Sequence, residues 1–327
     1  MKVKFYFGEA FGLIMKTLPF IWVRLGSYLL LGLGLSAYFA VIGGIAWLLS
    51  KLWEPIGIIL FVIALAGAIG IVKWASRYYF YMLKAAHTAV MTEHIVYGKG
   101  PQGSQLKYGK EQVMNRFKDT SIMFGIDVLV DGIVKAFTRT FSNMVGILPI
   151  PGLDSLTSIL QRVALASTTY VDEAILSRAY KDREDNVWKT AHEGVVLYAQ
   201  AWKPILANAA VLSLISYVEF AALLVILGLP AVALGYAVPA LRVALGIGVL
   251  ITAWMIKLAV SDAFSLAATL IAYHRSTEGL EVNAEWTSKL EGVSDKFREL
   301  GIKASQNSKL RKVIPQTEAT SNNINLN

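Results

Sequence analysis

An uncharged stretch of 26 residues, Leu25–Ser50, is the strongest constraint on what this chain can fold into. A helix crosses the hydrocarbon core of a bilayer with about 20 apolar residues. A second uncharged stretch of 18 residues, Pro55–Val72, follows after only a short turn. The two stretches therefore predict a hairpin of membrane-spanning helices.

A second pair of apolar stretches lies nearer the C-terminal end. Residues 205–234 are apolar apart from Glu219, and residues 243–273 are apolar apart from Lys257 and Asp262. Charged residues make up 17% of the whole chain, against about 25% in an average soluble domain. There is no cysteine, which excludes disulfide scaffolds, thiolate metal sites and thiol catalysis. These features predict an all-α, polytopic helical membrane protein.

The middle of the chain, residues 120–177, is apolar but carries more charges. Its first part contains Asp127, Asp131 and Lys135, and its last part contains Arg162. This stretch either crosses the membrane twice or enters and returns on the same side, and we prefer two crossings. The prediction is then about six membrane segments in three hairpins, 20–97, 105–180 and 187–274, within a helical membrane domain at 1–303.

Basic residues predict the orientation of the chain. Of the 31 Lys and Arg residues, 25 lie in the segments 1–24, 73–119, 178–203 and 274–327. By the positive-inside rule, these segments and both termini lie in the cytoplasm, which predicts a multi-pass protein of the cell inner membrane. Such segments, including an interfacial amphipathic helix near the N-terminus, are expected to contact the bilayer and its anionic lipid headgroups. No nucleic acid partner is needed to explain the net charge.

An apolar stripe follows the last span. It consists of residues at helical spacing, which predict a cytoplasmic amphipathic helix over 282–300: Val282, Trp286, Leu290, Val293, Phe297 and Leu300. The protein's own inner face, a second copy of the chain or a membrane-protein partner must cover it. Residues 304–327 are rich in Ser, Asn, Gln and Thr, and this composition predicts a disordered cytoplasmic tail.

Two parts of the sequence share a pattern. Pro19 lies 54 residues before Lys73, and Pro204 lies 53 residues before Lys257. Each proline follows a short amphipathic segment and begins a span, where its missing N–H costs nothing. The pattern indicates either a parallel internal repeat or the common placement of interfacial helices before spans.

The sequence contains no recognisable enzyme motif. It has no phosphate-binding glycine loop, no His-Glu-x-x-His and no Gly-x-Ser-x-Gly, the patterns that would indicate nucleotide, zinc or serine-hydrolase chemistry. His87 and His94 are seven residues apart, but two ligands do not complete a zinc site. We therefore expect neither catalytic residues, nor a metal, nor a cofactor.

Ionisable residues at membrane depth are the candidate functional residues, because each is expensive there unless it is paired or lines a polar path. Asp131 and Lys135 are spaced to pair on one helix, whereas Asp127 requires another partner, such as Arg162 or Arg139. The candidate path residues are Asp127, Asp131, Lys135, Arg162, Glu219, Lys257 and Asp262.

Glu219 and Lys257 belong to facing segments of the last hairpin. Counted along the two helices at 1.5 Å per residue, they reach similar depths, so we expect them to meet. Both this pair and the charges of the middle hairpin are open to two interpretations, namely salt bridges that hold the helices together or a polar pathway.

Residues 170–283 resemble the C-terminal part of the choline transporter-like family. The resemblance rests on four short motifs: Tyr170-Val-Asp-Glu-Ala174-Ile175, Thr190-Ala191, Ala263-Phe264-Ser265 and Glu278-Gly-Leu-Glu281-Val-Asn283. It implies a helical membrane transport protein, and it identifies no substrate-binding residue.

The sequence therefore favours a membrane transport protein, either a channel or a secondary carrier, for a small solute or ion. The middle hairpin would line its polar path. The alternative is a non-transporting scaffold or assembly factor that docks a partner through helix 282–300, and an intramembrane enzyme is the third interpretation.

Overall fold

The computed structural model describes residues 4–116, 120–142, 170–239 and 242–322. Every regular element in these ranges is helical, which confirms the predicted all-α fold. Four helices in them are long and apolar enough to cross a membrane: Leu18–Ser50, Pro55–Tyr97, Trp202–Ala237 and Leu245–Thr277. They belong to the first and last predicted hairpins, and the chain is an all-α membrane protein.

The helices are numbered in chain order, and two of the spans are interrupted by a π-helical turn, at Ser76–Phe80 and at Lys257–Ser261. The α-helices are α1 (Phe7–Lys16), α2 (Leu18–Ser50), α3 (Pro55–Ala75), α4 (Tyr81–Tyr97), α5 (Gln105–Arg116), α6 (Thr120–Ser142), α7 (Val171–Asp182), α8 (Val187–Gln200), α9 (Trp202–Ala237), α10 (Arg242–Ile256), α11 (Asp262–Thr277), α12 (Ala284–Val293) and α13 (Asp295–Asn322).

The same succession of elements occurs twice along the chain. A short helix precedes a long one by a single residue, and the next span then contains a π-helical turn. A glycine with positive φ follows each series, Gly98 at 68° and Gly279 at 72°. Each glycine lies 22 residues after the first residue of its π-helical turn. This shared spacing favours the internal-repeat interpretation of the sequence.

The chain folds into two compact units. The first unit comprises Met1–Lys16, Thr88–Ile215 and Phe264–Asn327, and the second unit comprises Thr17–His87 and Ser216–Ala263.

The second unit consists mainly of spanning helices. Helix α2 packs against α3, against α10 and against the second π-helical turn. Large apolar side chains cover its outside, including Leu30 at 71% and Ile58 at 69% exposure. An apolar surface of this extent is unfavourable in water and suits the hydrocarbon of a bilayer.

The first unit has a conventional core, at the centre of which α8 contacts α6, α7, α12 and α13. Three aromatic rings surround the buried ring of Phe137, with centroids 5.8 Å away for Tyr198, 6.3 Å for Trp202 and 6.0 Å for Trp286. The Tyr198 hydroxyl lies 3.3 Å from that of Thr138. Burial raises the pKa of Tyr198 to about 12, so this hydroxyl keeps its proton at neutral pH.

The protein itself covers much of the apolar stripe predicted over 282–300, although Val282 at its start is 44% exposed. Leu290, Phe297 and Leu300 are fully buried, because α12 and α13 pack against α6 and α8. The predicted single helix is two helices, with a break at Ser294. The Ser294 hydroxyl accepts a hydrogen bond of 3.3 Å from the backbone N–H of Phe297, as an N-cap does.

Helix α13 continues past residue 303, where the composition predicts disorder. The amide nitrogen of Asn186 donates hydrogen bonds of 2.8 Å to the carbonyl of Ala304 and to the hydroxyl of Ser308. These contacts fasten the first turn beyond residue 303 to the start of α8.

The sequence predicts six membrane segments, whereas the described part of the chain has the four given above. Helix α6, expected to begin the middle hairpin, is not one of them, since four charged residues interrupt its 23-residue length. Its apolar stripe, which includes Ile126, Val130 and Ile133, is buried among helices of the first unit. Most of the other predicted segment, 156–175, lies outside the described residues.

Candidate functional site

A cavity of about 470 Å³ lies in the second unit. Helix α2 contributes Tyr28 and Gly32 to its wall, the first π-helical turn contributes Ser76, and α10 contributes Trp254. The rest of the wall is almost entirely apolar: Leu31, Leu35, Val72, Phe220, Leu250, Ile251, Met255 and Leu258. A cavity of this size and lining suits a small ligand with a large apolar part.

The space is kept open by a small residue and by both π-helical turns. A Cβ atom on Gly32 would come within 2.6 Å of Cε of Met255, so a side chain here would enter the occupied wall. Ser76 begins the first π-helical turn and Leu258 belongs to the second, and both line the cavity. Turns of this type often occur at functional sites in helices.

The cavity has an opening on the outer surface of the unit. Leu250 is 55% exposed, Ile251 48% and Trp254 52%, although all three line the cavity. The cavity is therefore accessible from the surface of the second unit.

Charged side chains lie beside one part of the cavity. Nζ of Lys257 is 2.6 Å from Oδ1 of Asp262 and 5.7 Å from the ring centroid of Trp254. The hydroxyl of Tyr28 is within electrostatic range of Arg24, Lys84 and Asp262. Lys257 and Asp262 thus lie next to the lining residues Trp254 and Tyr28, but neither of them lines the cavity itself.

A ring stack and a hydrogen bond connect α2 with the first π-helical turn beside the cavity. The ring of Tyr28 stacks on that of Phe80 with centroids 4.1 Å apart. The hydroxyl of Ser27 shares a 2.7 Å hydrogen bond with that of Tyr79. These contacts hold the side chain of Tyr28 at the cavity wall.

Of the two expected ion pairs, the structure forms the one in α6 and not the one in the last hairpin. Lys257 pairs with Asp262 and not, as expected, with Glu219, which is half-buried in α9. In the first unit, Lys135 pairs with Asp131 as the spacing predicts, at 2.7 Å. Their side chains are 52% and 34% exposed, so this pair lies at the surface of α6.

Asp127 belongs to a cluster of three carboxylates that sequence reasoning missed. One oxygen each from Asp127, Asp172 and Glu173 lies within 4.8 Å of the others, and Asp172 and Glu173 are buried. Carboxylates so arranged are the ligand type that Mg²⁺ or Ca²⁺ takes. Each of the three also takes part in a further interaction, so none of them is without a partner. Arg162, the expected partner of Asp127, lies outside the described residues.

Sequence reasoning also missed the residues that line the cavity, because apolar residues and a glycine within a span carry no chemical signature. One signal was present: Lys257 and Asp262 are opposite charges five residues apart within an apolar stretch. This spacing fits a π-helical turn better than a regular α-helix.

Comparisons with protein-family models, with curated proteins and with solved structures found no match for this chain. The resemblance of residues 170–283 to the choline transporter-like family remains a prediction that rests on its short motifs.

Proposed function

We propose that this protein is a membrane transport protein, a channel or a secondary carrier, whose solute is a small amphipathic molecule. The observation that carries the proposal is the cavity of the second unit, whose wall is apolar apart from Tyr28 and Ser76. The ion pair of Lys257 and Asp262 lies next to this wall, beside Trp254 and Tyr28. The solute would place its apolar part against α2 and α10 and its polar group near Lys257 and Asp262.

The lining favours an amphipathic solute over a small ion. An ion that enters an apolar cavity loses its hydration shell, and it requires polar groups in replacement. The wall supplies few such groups. An apolar chain or ring, in contrast, gains by leaving water or by replacing lipid contacts in a cavity of this size.

The π-helical turns support transport rather than permanent binding. They interrupt two of the four spans that line the cavity, at Ser76–Phe80 and Lys257–Ser261, and such irregular turns are frequent at functional sites. The sequence has no nucleotide-binding motif that could couple transport to hydrolysis, which is why a channel or secondary carrier is proposed. We retain the cell inner membrane and cytoplasmic termini as part of the proposal, on the distribution of basic residues.

The scaffold alternative draws less support from the contacts. In that alternative, a partner protein would bind the apolar stripe of 282–300. Leu290, Phe297 and Leu300 are already buried within the first unit, so they are not available to a partner.

Photolabelling tests the cavity directly. The purified full chain would be reconstituted in liposomes with a single-chain amphiphile that carries a diazirine on its apolar chain. We expect crosslinks within residues 250–258. Gly32→Phe places a large side chain against Met255 in the cavity wall and should lower this labelling about tenfold. Gly34→Phe is the matched control, because a Cβ on Gly34 meets nothing within 4 Å.

Uptake of the same amphiphile into the liposomes tests transport. Gly32→Phe should reduce uptake and Gly34→Phe should leave it unchanged. Labelling that is insensitive to Gly32→Phe would contradict the binding site. Specific labelling without any protein-dependent uptake would contradict the transport function.

A further inference from the structure

A second cavity, of about 290 Å³, lies in the first unit. Three segments distant in sequence form it: α1 with Glu9, Gly12 and Lys16, the end of α4 with His94, and α11 with Arg275. Its wall is far more polar than that of the cavity in the second unit, and two of its residues are permanently cationic.

His94 is the unusual residue of this cavity. Both of its ring nitrogens are buried and have no hydrogen-bond partner among the residues that the structure describes. A buried polar atom without a partner costs about 1–3 kcal/mol, so most such atoms in proteins are satisfied by the chain, by water or by a ligand.

The position of the His94 ring is restricted by the backbone that follows α4. A Cβ atom on Gly100 would be 2.6 Å from Cε1 and 2.7 Å from Nε2 of His94. The ring therefore lies directly on this glycine, and the chain reaches it through Gly98, whose φ is 68°. The close approach holds the imidazole in one place at the cavity wall.

The charges around the cavity favour an anion. Lys16 is near enough to His94 to act on it electrostatically. Arg275 forms only a long contact with Glu9, at 3.5 Å, and both side chains are about half exposed. Glu93 also acts on His94, but its carboxylate pairs with Arg183. Among the residues that line the cavity, two cations and one carboxylate leave a net positive charge, which would repel a metal ion and attract an anionic group.

We propose that this cavity is a binding site for a phosphate group, held by Lys16, Arg275 and His94. Arginine and lysine form strong charge-assisted hydrogen bonds with phosphate oxygens. One nitrogen of a neutral imidazole can donate a hydrogen bond to a phosphate oxygen or accept one from a protonated phosphate oxygen, depending on its tautomer. The phosphate belongs either to a soluble phosphate compound or to the headgroup of a phospholipid. The site is independent of the cavity in the second unit.

Calorimetric titration of the purified full chain in detergent, with inorganic phosphate and with glycerol phosphate as probes, tests a soluble source. Lys16→Gln and Arg275→Gln should each weaken binding about tenfold or more. Gly12→Phe should abolish binding, because the cavity-lining Gly12 has open space where a Cβ would be. Lys289→Gln and Gly8→Phe are the controls, since these residues do not line the cavity.

Native mass spectrometry of the protein from nanodiscs of phosphatidylglycerol tests a lipid source. The wild-type chain should retain more lipid than Arg275→Gln, while Lys289→Gln should retain the wild-type amount. Calorimetric binding of inorganic phosphate or glycerol phosphate identifies the ligand as a soluble phosphate compound. Lipid retention without such calorimetric binding identifies it as a phospholipid headgroup. The proposal is overturned if neither probe binds, or if the cavity variants behave like their controls.

Discussion

Lys257 and Asp262 are five residues apart, and their side chains form an ion pair with a distance of 2.6 Å between Nζ and Oδ1. In a regular α-helix, residues five apart point in directions that differ by about 140°. The π-helical turn Lys257–Ser261 removes this difference, because i to i+5 hydrogen bonding brings residues five apart onto one face. The irregular turn therefore makes the pair.

Removal of one charge of the Lys257–Asp262 pair should lower stability, because the other charge then stays buried without a counter-charge. Asp262→Asn leaves the Lys257 ammonium in an apolar environment without its counter-charge, and we expect a loss of roughly 2–3 kcal/mol in stability. The double variant Lys257→Met/Asp262→Asn should recover most of it. Thermal unfolding in one detergent measures all three proteins. Equal stability of the wild type and the single variant would show that the pair contributes nothing.

The buried part of the apolar stripe over 282–300 should contribute strongly to the stability of the first unit. Phe297 is fully buried, so Phe297→Ala should cost about 3–5 kcal/mol and lower Tm by roughly 6 °C or more. Ile302→Ala on the same helix is the control, because Ile302 is 56% exposed. Similar Tm changes for the two variants would contradict the observed packing of α13.

His192 should make stability depend on pH. Its ring stacks on Phe297 with centroids 4.3 Å apart. Burial lowers the pKa of His192 below its ordinary value, although Glu291 raises it in part. The unfolded chain thus binds this proton more tightly, and acidification below pH about 6.5 favours unfolding.

The measurement is the decrease in Tm between pH 7 and pH 5 for the wild type and for His192→Phe, which keeps the ring stack but cannot titrate. The wild type should lose more stability, since the other histidines are common to both proteins. An equal decrease would exclude His192 as a contributor.

If Asp127 serves solute passage, Asp127→Asn should lower solute uptake in liposomes, whereas Asp131→Asn should not. Asp131→Asn removes an exposed pair and should change stability by less than about 0.5 kcal/mol. Asp127→Asn reduces repulsion from Asp172 and Glu173, so this variant should fold.

Uptake in liposomes then separates the two interpretations of these charges. Reduced uptake in Asp127→Asn with wild-type uptake in Asp131→Asn supports a polar path at Asp127, and wild-type uptake in both variants assigns these charges to structure. Lys135→Ala serves as the comparison on the same helix face.

The chain has no cysteine, which makes its orientation straightforward to determine. Single cysteines in place of Glu54 and Val238, in the turns of the two hairpins, should react with a membrane-impermeant thiol reagent added outside cells. Reporter fusions after Met1 and after Lys303 should both indicate the cytoplasm. An external C-terminus would contradict the predicted orientation.

The spanning helices were predictable, whereas the role of the middle segment was not. Insertion into a bilayer depends on the summed hydrophobicity of about 20 neighbouring residues, which is a local property. Helix α6 has a hydrophobic face strong enough to suggest a membrane segment, but that face is buried against α7, α8, α12 and α13. A sequence does not distinguish an apolar face that meets lipid from one that meets protein.

The sequence by itself determined the class of protein, the four apolar spans and the Asp131–Lys135 pair, since each follows from residues close together in the chain. Only the tertiary structure decided that Asp127 meets Asp172 and Glu173, and that Arg275 and His94 face one cavity. Both depend on which distant helices pack together. The pairing of Lys257 with Asp262 depends on both. The two residues are close in sequence, but it is the π-helical turn in the structure that directs their side chains toward each other.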